Sequence, residues 1–242
     1  MKTHEKSTQA ERACSLIRAE ILDGTLLPGT KLNIKSLEER LGFSLGAIRE
    51  ALSRLGAEGM VTTEAHRGYR VSAVTADELL DLTRTRMEIE SLCLSQAIEH
   101  GGVDWESRIV GAAHRMERLQ DLSSDPEARI SEQWNEAHGE FHEALVSACP
   151  SEWLHRLRRL LYEQSERYRR LSVPLDNDHR DVREEHRRIM AAVLNRDVAT
   201  ALQELKRHLT ATTEIILRSP LLQPPRSNEN RTANQAVQAE RN

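Results

Sequence analysis

Six long amphipathic segments, joined by short polar connections, fill the sequence from about Thr75 to Arg218. Apolar residues recur in them at spacings of three and four, which is the period of a helix. Long helices joined by so few residues pack as antiparallel neighbours. We therefore predict an antiparallel six-helix bundle over residues 76–218 in a mostly α protein. Its helices are expected at 76–100, 105–120, 129–148, 152–172, 178–195 and 198–218.

The first 60 residues predict three shorter helices. The helical stripe of "ERACSLIRAEILD" ends where "GTLLPGTKL" brings in two glycines and a proline. A second helix is expected between Asn33, whose side chain suits an N-cap, and Gly42, a typical C-terminal stop. The third begins at Ser44 and should turn its apolar stripe toward a core. That stripe consists of Ile48, Leu52 and Leu55.

Residues 60–73, "MVTTEAHRGYRVSA", predict a β-hairpin with its tip at Arg67–Gly68. Three helices followed by a hairpin is the order of a winged helix-turn-helix, which we assign to residues 8–75. The order of elements alone leaves a generic three-helix domain open as an alternative. Residues 219–242 combine prolines with polar residues and carry no apolar stripe, so a disordered tail is expected there.

Charge is distributed unevenly along the chain. Residues 1–75 carry 11 Lys and Arg against 9 Asp and Glu, a balance of +2, whereas the rest carries 23 against 29, a balance of −6. The basic part is therefore the part that a nucleic acid would contact. No stretch approaches the roughly 18 apolar residues of a membrane span, and the start lacks a signal-peptide core, so we expect a cytoplasmic protein without a membrane partner.

Cysteine usage adds little to the functional prediction. Cys14, Cys93 and Cys149 belong to no motif and are expected as small buried apolar residues.

Helix-turn-helix proteins place the start of their second motif helix in the major groove. Ser44, Leu45, Gly46 and Arg49 occupy that start here. "LLPGTKL", "LGFSLGAIREALSRLGAEGMV" and "RGYRV" resemble the N-terminal domain of GntR-family transcription regulators, over the whole of residues 8–75. The resemblance implies double-stranded operator DNA as the partner.

Carried onto this sequence, the resemblance implies that Arg49 contacts DNA from the recognition helix and that Lys35 contacts it from the preceding helix. It also implies that the wing tip, Arg67 with Gly68, approaches the minor groove. Many relatives carry Arg or Lys directly after the serine of the turn, whereas this chain has Leu45, which cannot hydrogen-bond a guanine edge. Without the resemblance, an arginine on a helix would be expected to be an ordinary solvated surface residue.

"HGEFH" places His138 and His142 four residues apart, so on a helix their Cβ atoms lie roughly 6 Å apart and both imidazoles can reach one ion. His186 and His208 lie on apolar stripes of later helices. Neutral imidazole suits zinc or nickel, yet from the residues alone ordinary core or surface histidines remain open. The other histidines, including His114, His155 and His179, are expected to be incidental.

Residues 77–217 resemble the FCD ligand-binding domain of the FadR subfamily of GntR regulators. The resemblance lies in "LTRTRMEIESLCLSQAI", "FHEALVSAC" and "EEHRRIMAAVLNRDVATALQELKRHL". It implies a divalent metal held by an acidic residue four before the histidine of "FH", by that histidine, and by two histidines 22 residues apart. His142, His186 and His208 fit, and His138 replaces the acidic residue, which favours Zn²⁺ or Ni²⁺ over Mn²⁺.

A catalytic use of this metal is not expected. A zinc hydrolase of the HExxH kind places a glutamate beside its first histidine. Here Glu140 follows His138 by two residues, about 200° around the helix, and faces away. The metal is better interpreted as the anchor of a small carboxylate effector.

Three side chains are candidates for holding that carboxylate. Arg86 offers a bidentate fork, and Tyr168 and Arg169 offer further polar contacts, although each also suits a surface salt bridge or ordinary packing. "HGEFHEALVSACPSEWL" followed by "LYEQSERYRRLS" is similar to the glutarate-responsive CsiR repressors of this family. That similarity implies a C4–C6 dicarboxylate such as glutarate or 2-hydroxyglutarate.

The leading hypothesis is a homodimeric, metal-containing repressor that leaves its operator when a small carboxylate binds. Two alternatives stay open. In the first, the protein is a regulator whose metal has a structural role only and whose ligand binds elsewhere. In the second, the chain is a metal-dependent hydrolase with an appended DNA-binding domain.

Overall fold

The computed structural model describes residues 7–64, 68–122, 131–176, 180–219 and 222. Within those ranges the fold is mostly helical, as predicted, with one small antiparallel sheet near the N-terminus. The helices are α1 (Gln9–Leu22), α2 (Ile34–Leu41), α3 (Leu45–Ala57), α4 (Ala76–His100), α5 (Val103–Leu122), α6 (Glu132–Val146), α7 (Glu152–Ser172), α8 (Val182–Leu194) and α9 (Val198–Arg218). The strands are β1 (Lys31–Leu32), β2 (Val61–Glu64) and β3 (Gly68–Val71).

Helices α1 to α3 form a small unit with the sheet. The side chains of Asn33 and Ser44 cap α2 and α3 by accepting backbone N–H groups, and Gly42 ends α2 with φ +72°, as the sequence predicted. The predicted stripe of α3 is confirmed, since Ile48, Leu52 and Leu55 are fully buried. These apolar contacts hold α3 against α1 and leave the start of α3 at the surface.

The sheet has three strands in the order β1-β3-β2, where the sequence predicted a two-stranded hairpin. Lys31 and Leu32 pair with Arg70 and Tyr69 on the free side of the hairpin. Two residues are too few to show a strand period, so only pairing with β3 defines β1. The additional strand ties the segment after α1 to the wing.

Helices α4 to α9 form the bundle. The helix pairs α5 with α6, α4 with α7, α4 with α9, and α8 with α9 make its main contacts. Its centre is a continuous apolar core. The largest fully buried side chains of that core are Trp105, Phe141, Leu94, Ile109, Leu145, Ile189 and Leu205.

Helix α7 also supports the N-terminal unit. Gln164 donates to the backbone carbonyl of Glu58, and Nη1 of Arg167 donates to the carbonyl of Ser72 at 3.2 Å. Because Arg167 is only 3% exposed, this contact is part of the buried interior rather than a surface bridge. The two units are therefore joined along one helix of the bundle.

None of the helices in the described ranges is long and apolar enough to cross a membrane. Cys14, Cys93 and Cys149 are free and buried, which confirms the prediction for them.

Candidate metal and effector site

Four histidines from three helices meet inside the bundle. His138 and His142 come from α6, His186 from α8 and His208 from α9. One ligand nitrogen from each lies within 4.8 Å of those of the other three, and each residue is at most 5% exposed. The packing of α8 and α9 thus brings together residues that are distant in the sequence.

The geometry of this histidine cluster fits a metal ion bound by nitrogen. Nε2 of His138 lies 3.2 Å from Nε2 of His142, and two nitrogens bound tetrahedrally to zinc are separated by about 3.4 Å. Nε2 of His186 and Nδ1 of His138 are buried without a hydrogen-bond partner in the described ranges. Burying a polar nitrogen without a hydrogen-bond partner costs free energy. A metal ion removes that cost for an unprotonated nitrogen, because the nitrogen donates its lone pair to the ion.

The cluster also has the protonation state that a metal site requires. Burial, together with the neighbouring imidazoles, holds the pKa of His138, His142 and His186 well below its usual value. Burial likewise lowers the pKa of His208 to about 4, although its hydrogen bond to Glu185 acts in the opposite direction. At neutral pH the four imidazoles are therefore uncharged and free to donate lone pairs.

Glu185, which the sequence analysis did not single out, orients one of these histidines. Its Oε2 lies 2.8 Å from Nδ1 of His208, and Arg180 forms a salt bridge with the same carboxylate. Burial alone would raise the pKa of Glu185, but the hydrogen bonds from His208 and Arg180 prevail and lower it to about 2. The only sequence signal for Glu185 was its place directly before His186.

A cavity of about 30 Å³ adjoins the cluster. His138, His142 and His208 line it, and so do all three residues predicted for effector binding, Arg86, Tyr168 and Arg169. Since a water needs about 10–15 Å³ of such volume, the cavity has room for two or three water-sized atoms. The structure therefore brings the predicted metal ligands and the predicted effector residues to one place.

Arg86 is held in position from two sides. Its Nε donates to Oε1 of Glu90 at 3.2 Å and its Nη1 to Oγ of Ser165 at 2.5 Å. The guanidinium also lies over the ring of Tyr162, with 5.1 Å between Cζ and the ring centroid. Its Nη2 donates no hydrogen bond within the described residues, so part of the fork remains available beside the histidines.

Arg169, like Arg86, is held by neighbouring side chains. Its Nε and Nη2 bond Glu166, and Nη2 also donates to Oδ1 of Asn135 at 2.6 Å. No hydrogen bond from Nη1 is found in the part of the chain that the structure describes. The hydroxyl of Tyr168, by contrast, already accepts a hydrogen bond from Arg167 at 3.1 Å.

A second cavity, also about 30 Å³, lies next to the first. His138, His208, Arg169 and Thr212 line both cavities. Trp134 lines only the second, and its ring stacks on that of His138 with centroids 4.9 Å apart. The sequence pattern did not point to Trp134, although its position four residues before His138 puts the two side chains on one helix face.

The predicted DNA-contacting residues lie at the surface of the N-terminal unit. Ser44, Leu45, Gly46 and Arg49 are exposed at the start of α3, and Lys35 is exposed on α2. Gly68 is exposed at the start of β3 with φ +91°, a conformation that favours glycine. Arg67 lies outside the described residues.

The remaining histidines that the structure describes lie apart from the cluster. His114 is exposed, and Nε2 of His155 bonds the carbonyl of Cys149 at 2.9 Å. His179 lies outside the described residues. Glu140 forms an exposed salt bridge with Arg115, so it faces away from the histidines as predicted and cannot act as a base beside them.

The sequence matches two protein-family models. Residues 9–71 match the model of bacterial regulatory proteins of the gntR family, and residues 81–211 match the FCD domain. The second match alone covers more than half of the sequence.

Curated relatives agree with these matches. The chain is 37% identical over 206 residues to the HTH-type transcriptional regulator BphR of Paraburkholderia xenovorans, covering 85% of this chain and 84% of that protein. It is 34% identical over 207 residues to the HTH-type transcriptional repressor GlaR of Escherichia coli, covering 83% and 92%. These relatives are transcription regulators and not enzymes.

Solved structures show the same fold. A GntR regulator from Rhodococcus matches with a TM-score of 0.68 at 22% identity, covering 87% of this chain and 99% of that one. McbR/YncC of E. coli matches with a TM-score of 0.69 at 19% identity, covering 88% and 99%.

Proposed function

This chain belongs to the GntR family of bacterial regulatory proteins and carries an FCD domain, so it is a DNA-binding transcription regulator, and we propose that a small dicarboxylate controls it. The regulator is a homodimer and a repressor. It contains a divalent metal, Zn²⁺ or Ni²⁺, and leaves its operator when an effector such as glutarate binds beside that metal. It acts in the cytoplasm, together with its operator DNA.

One observation carries this proposal. Arg86 lines the same cavity as His138, His142 and His208. An arginine fork recognises a carboxylate by two parallel hydrogen bonds, and a divalent ion held by four neutral nitrogens keeps its full positive charge, which attracts the same group. Both features favour an anionic group, and a carboxylate is the one that the small cavity suits.

The surrounding side chains support Arg86 in this role. Glu90 is 1% exposed and lies between Nε of Arg86, at 3.2 Å, and Nε of Arg158, at 2.9 Å. Arg158 also donates to the backbone carbonyl of His142 at 2.9 Å. A chain of buried charge pairs thus connects the proposed carboxylate-binding residue to one of the proposed metal ligands, which limits the movement of both.

For DNA, we propose that Arg49 contacts bases from the start of α3 and that Lys35 contacts the phosphate backbone from α2. The exposure of both side chains supports these roles. Leu45 is 40% exposed and offers only apolar contact, which suits a thymine methyl group. Arg67 and Gly68 complete the proposed interface at the wing.

An apolar stripe on α7 supports the homodimer. Trp153, Leu157 and Leu160 are 70%, 43% and 53% exposed, and their spacing of four and three puts them on one helix face. Leu92, 49% exposed, lies on α4, which packs against α7. A second copy would cover this stripe and would also match the two-fold symmetry of typical operators.

Helix α7 offers a route from the effector to DNA. Ser165, which bonds Arg86, is adjacent to Gln164, which bonds the N-terminal unit at Glu58. An effector shifts an equilibrium only if it binds one arrangement of the two units better than the other. A carboxylate that draws Arg86 away from Ser165 would alter α7 where it supports the DNA-binding unit.

The test is calorimetric titration of glutarate into the zinc-loaded protein, after chelation, and into His142→Ala. We expect binding by the loaded protein only, and release of operator DNA in a gel-shift assay at the same glutarate concentrations. Unchanged glutarate affinity after chelation, together with a lower melting temperature, would assign the metal a structural role only.

A further inference from the structure

Trp134 carries a buried polar atom whose partner is missing. Its Nε1 has no hydrogen-bond partner in the described ranges, and neither does Nδ1 of the stacked His138. Trp105 is equally buried, but its Nε1 donates to the carbonyl of Ala144 at 2.9 Å. An unpaired buried N–H costs free energy. Because this N–H lies beside a cavity, it points to a ligand that accepts its hydrogen bond.

The chemistry of the second cavity specifies that ligand. Indole Nε1 and the guanidinium of Arg169 can only donate hydrogen bonds. If His138 offers Nε2 to the metal, its Nδ1 carries the proton and also donates. The acidic residue on the wall, Asp176, already accepts the backbone N–H of Arg180 at 3.1 Å. The two unpaired buried atoms on this wall, Nε1 of Trp134 and Nδ1 of His138, are therefore donors, and they suit a group that only accepts, such as a carboxylate.

Size leads to the same group. Each of the two cavities has a volume of about 30 Å³, enough for two or three water-sized atoms and too little for a whole dicarboxylate. The two oxygens of one carboxylate fit such a volume. The cavities meet at His138, Arg169, His208 and Thr212.

We infer that the second cavity binds the second carboxylate of the effector, with Nε1 of Trp134 as a hydrogen-bond donor. The first carboxylate lies with Arg86, the carbon chain passes Arg169, and Trp134 selects dicarboxylates over monocarboxylates. This inference rests on the proposed function, since it requires a carboxylate at the first cavity. A monocarboxylate of equal length leaves the indole N–H unpaired and loses that bond.

The test compares glutarate with valerate, which has the same number of carbons and one carboxylate. Both are titrated into the zinc-loaded wild-type protein, into Trp134→Phe, and into the control Trp105→Phe, whose indole N–H donates to the carbonyl of Ala144 and which lines neither cavity. Phenylalanine keeps an aromatic ring against His138 and removes the N–H together with part of the indole volume, and the valerate titration controls for that loss of volume. We expect Trp134→Phe to lower glutarate affinity about tenfold or more and to leave valerate affinity within about twofold.

A second measurement uses the unsubstituted protein. The chain has three tryptophans, so a ¹⁵N-tryptophan spectrum contains three indole N–H signals, which the Trp134→Phe and Trp153→Phe spectra assign. We expect the Trp134 signal to move downfield with glutarate and to stay in place with valerate. If Trp134→Phe does not fold, Trp105→Phe and Trp153→Phe assign the signal by elimination.

The outcomes separate the two proposals. Equal wild-type affinity for glutarate and valerate, or equal losses of both in Trp134→Phe, would overturn the role of Trp134 and leave the carboxylate effector standing. Absence of binding by either compound to the loaded wild-type protein would overturn the effector proposal, and this inference with it.

Discussion

Nδ1 of His208 lies 2.8 Å from Oε2 of Glu185, and Glu185 directly precedes His186 in α8. A histidine that donates Nδ1–H to a carboxylate keeps the lone pair on Nε2. One acidic side chain thereby fixes the tautomer of a histidine on the neighbouring helix and leaves its other nitrogen available to an ion.

Replacing Glu185 should weaken metal binding although the residue is not a proposed ligand. We expect Glu185→Gln to lower zinc affinity by about 10–100-fold, because the amide no longer holds His208 in one tautomer. Competition against a chromogenic chelator measures the change. Glu184→Gln is the matched control, since the half-exposed carboxylate of Glu184 pairs with Arg188 on the same helix and does not contact His208. Equal affinities of the two variants would contradict the role of Glu185.

Removal of the metal should destabilise the bundle. The four histidines lie on α6, α8 and α9 and come together only in the folded protein. An ion that binds all four therefore stabilises the folded state and not the unfolded one. With zinc at about a thousand times its dissociation constant, the melting temperature should rise by roughly 10 °C over the chelated protein. His142→Ala should abolish this difference and His114→Ala, at an exposed position, should keep it. An equal rise in both variants would locate the stabilising ion elsewhere.

Arg86 should determine effector affinity without affecting the metal. Arg86→Lys keeps the positive charge but loses the planar fork, so glutarate affinity should fall at least about tenfold while zinc content stays unchanged. Calorimetry and elemental analysis measure the two quantities. Arg84→Lys, at an exposed position of the same helix, is the control. Loss of zinc together with glutarate would instead indicate that Arg86 supports the cluster structurally.

Arg49 should be required for operator binding. Its guanidinium is exposed at the start of α3, so Arg49→Ala removes a proposed base contact and leaves the buried stripe of the helix intact. We expect loss of specific binding in a gel-shift titration, with an unchanged melting temperature. Arg54→Ala, at the other end of the helix, should bind the operator nearly as well. Undiminished operator affinity of Arg49→Ala would refute the contact.

The order and type of the elements followed from local patterns. Helical spacing predicted the bundle and the stripe of α3. The structure confirms the predicted N-cap Asn33, and it starts α3 at Leu45, one residue after the predicted start, with Ser44 as the N-cap. These features depend on residues within one or two turns of each other, so the linear sequence contains them. Strand β1 was missed because its definition depends on pairing with Arg70 and Tyr69, nearly forty residues away.

The candidate site also combines features that the sequence predicted with features that only helix packing decided. The spacing of His138 and His142 on one helix determined by itself that both could reach one ion. Apolar stripes pointed to His186 and His208, which the family resemblance assigned to the same ion, and the chemistry of the guanidinium group pointed to Arg86. Only the packing of α4, α6, α7, α8 and α9 decided that the four histidines meet, that three of them share a cavity with Arg86, and that Glu185 orients His208. Only that packing left Nε1 of Trp134 without a hydrogen-bond partner among the described residues. Hydrogen bonding and burial between helices depend on three-dimensional distances that no spacing along one helix specifies.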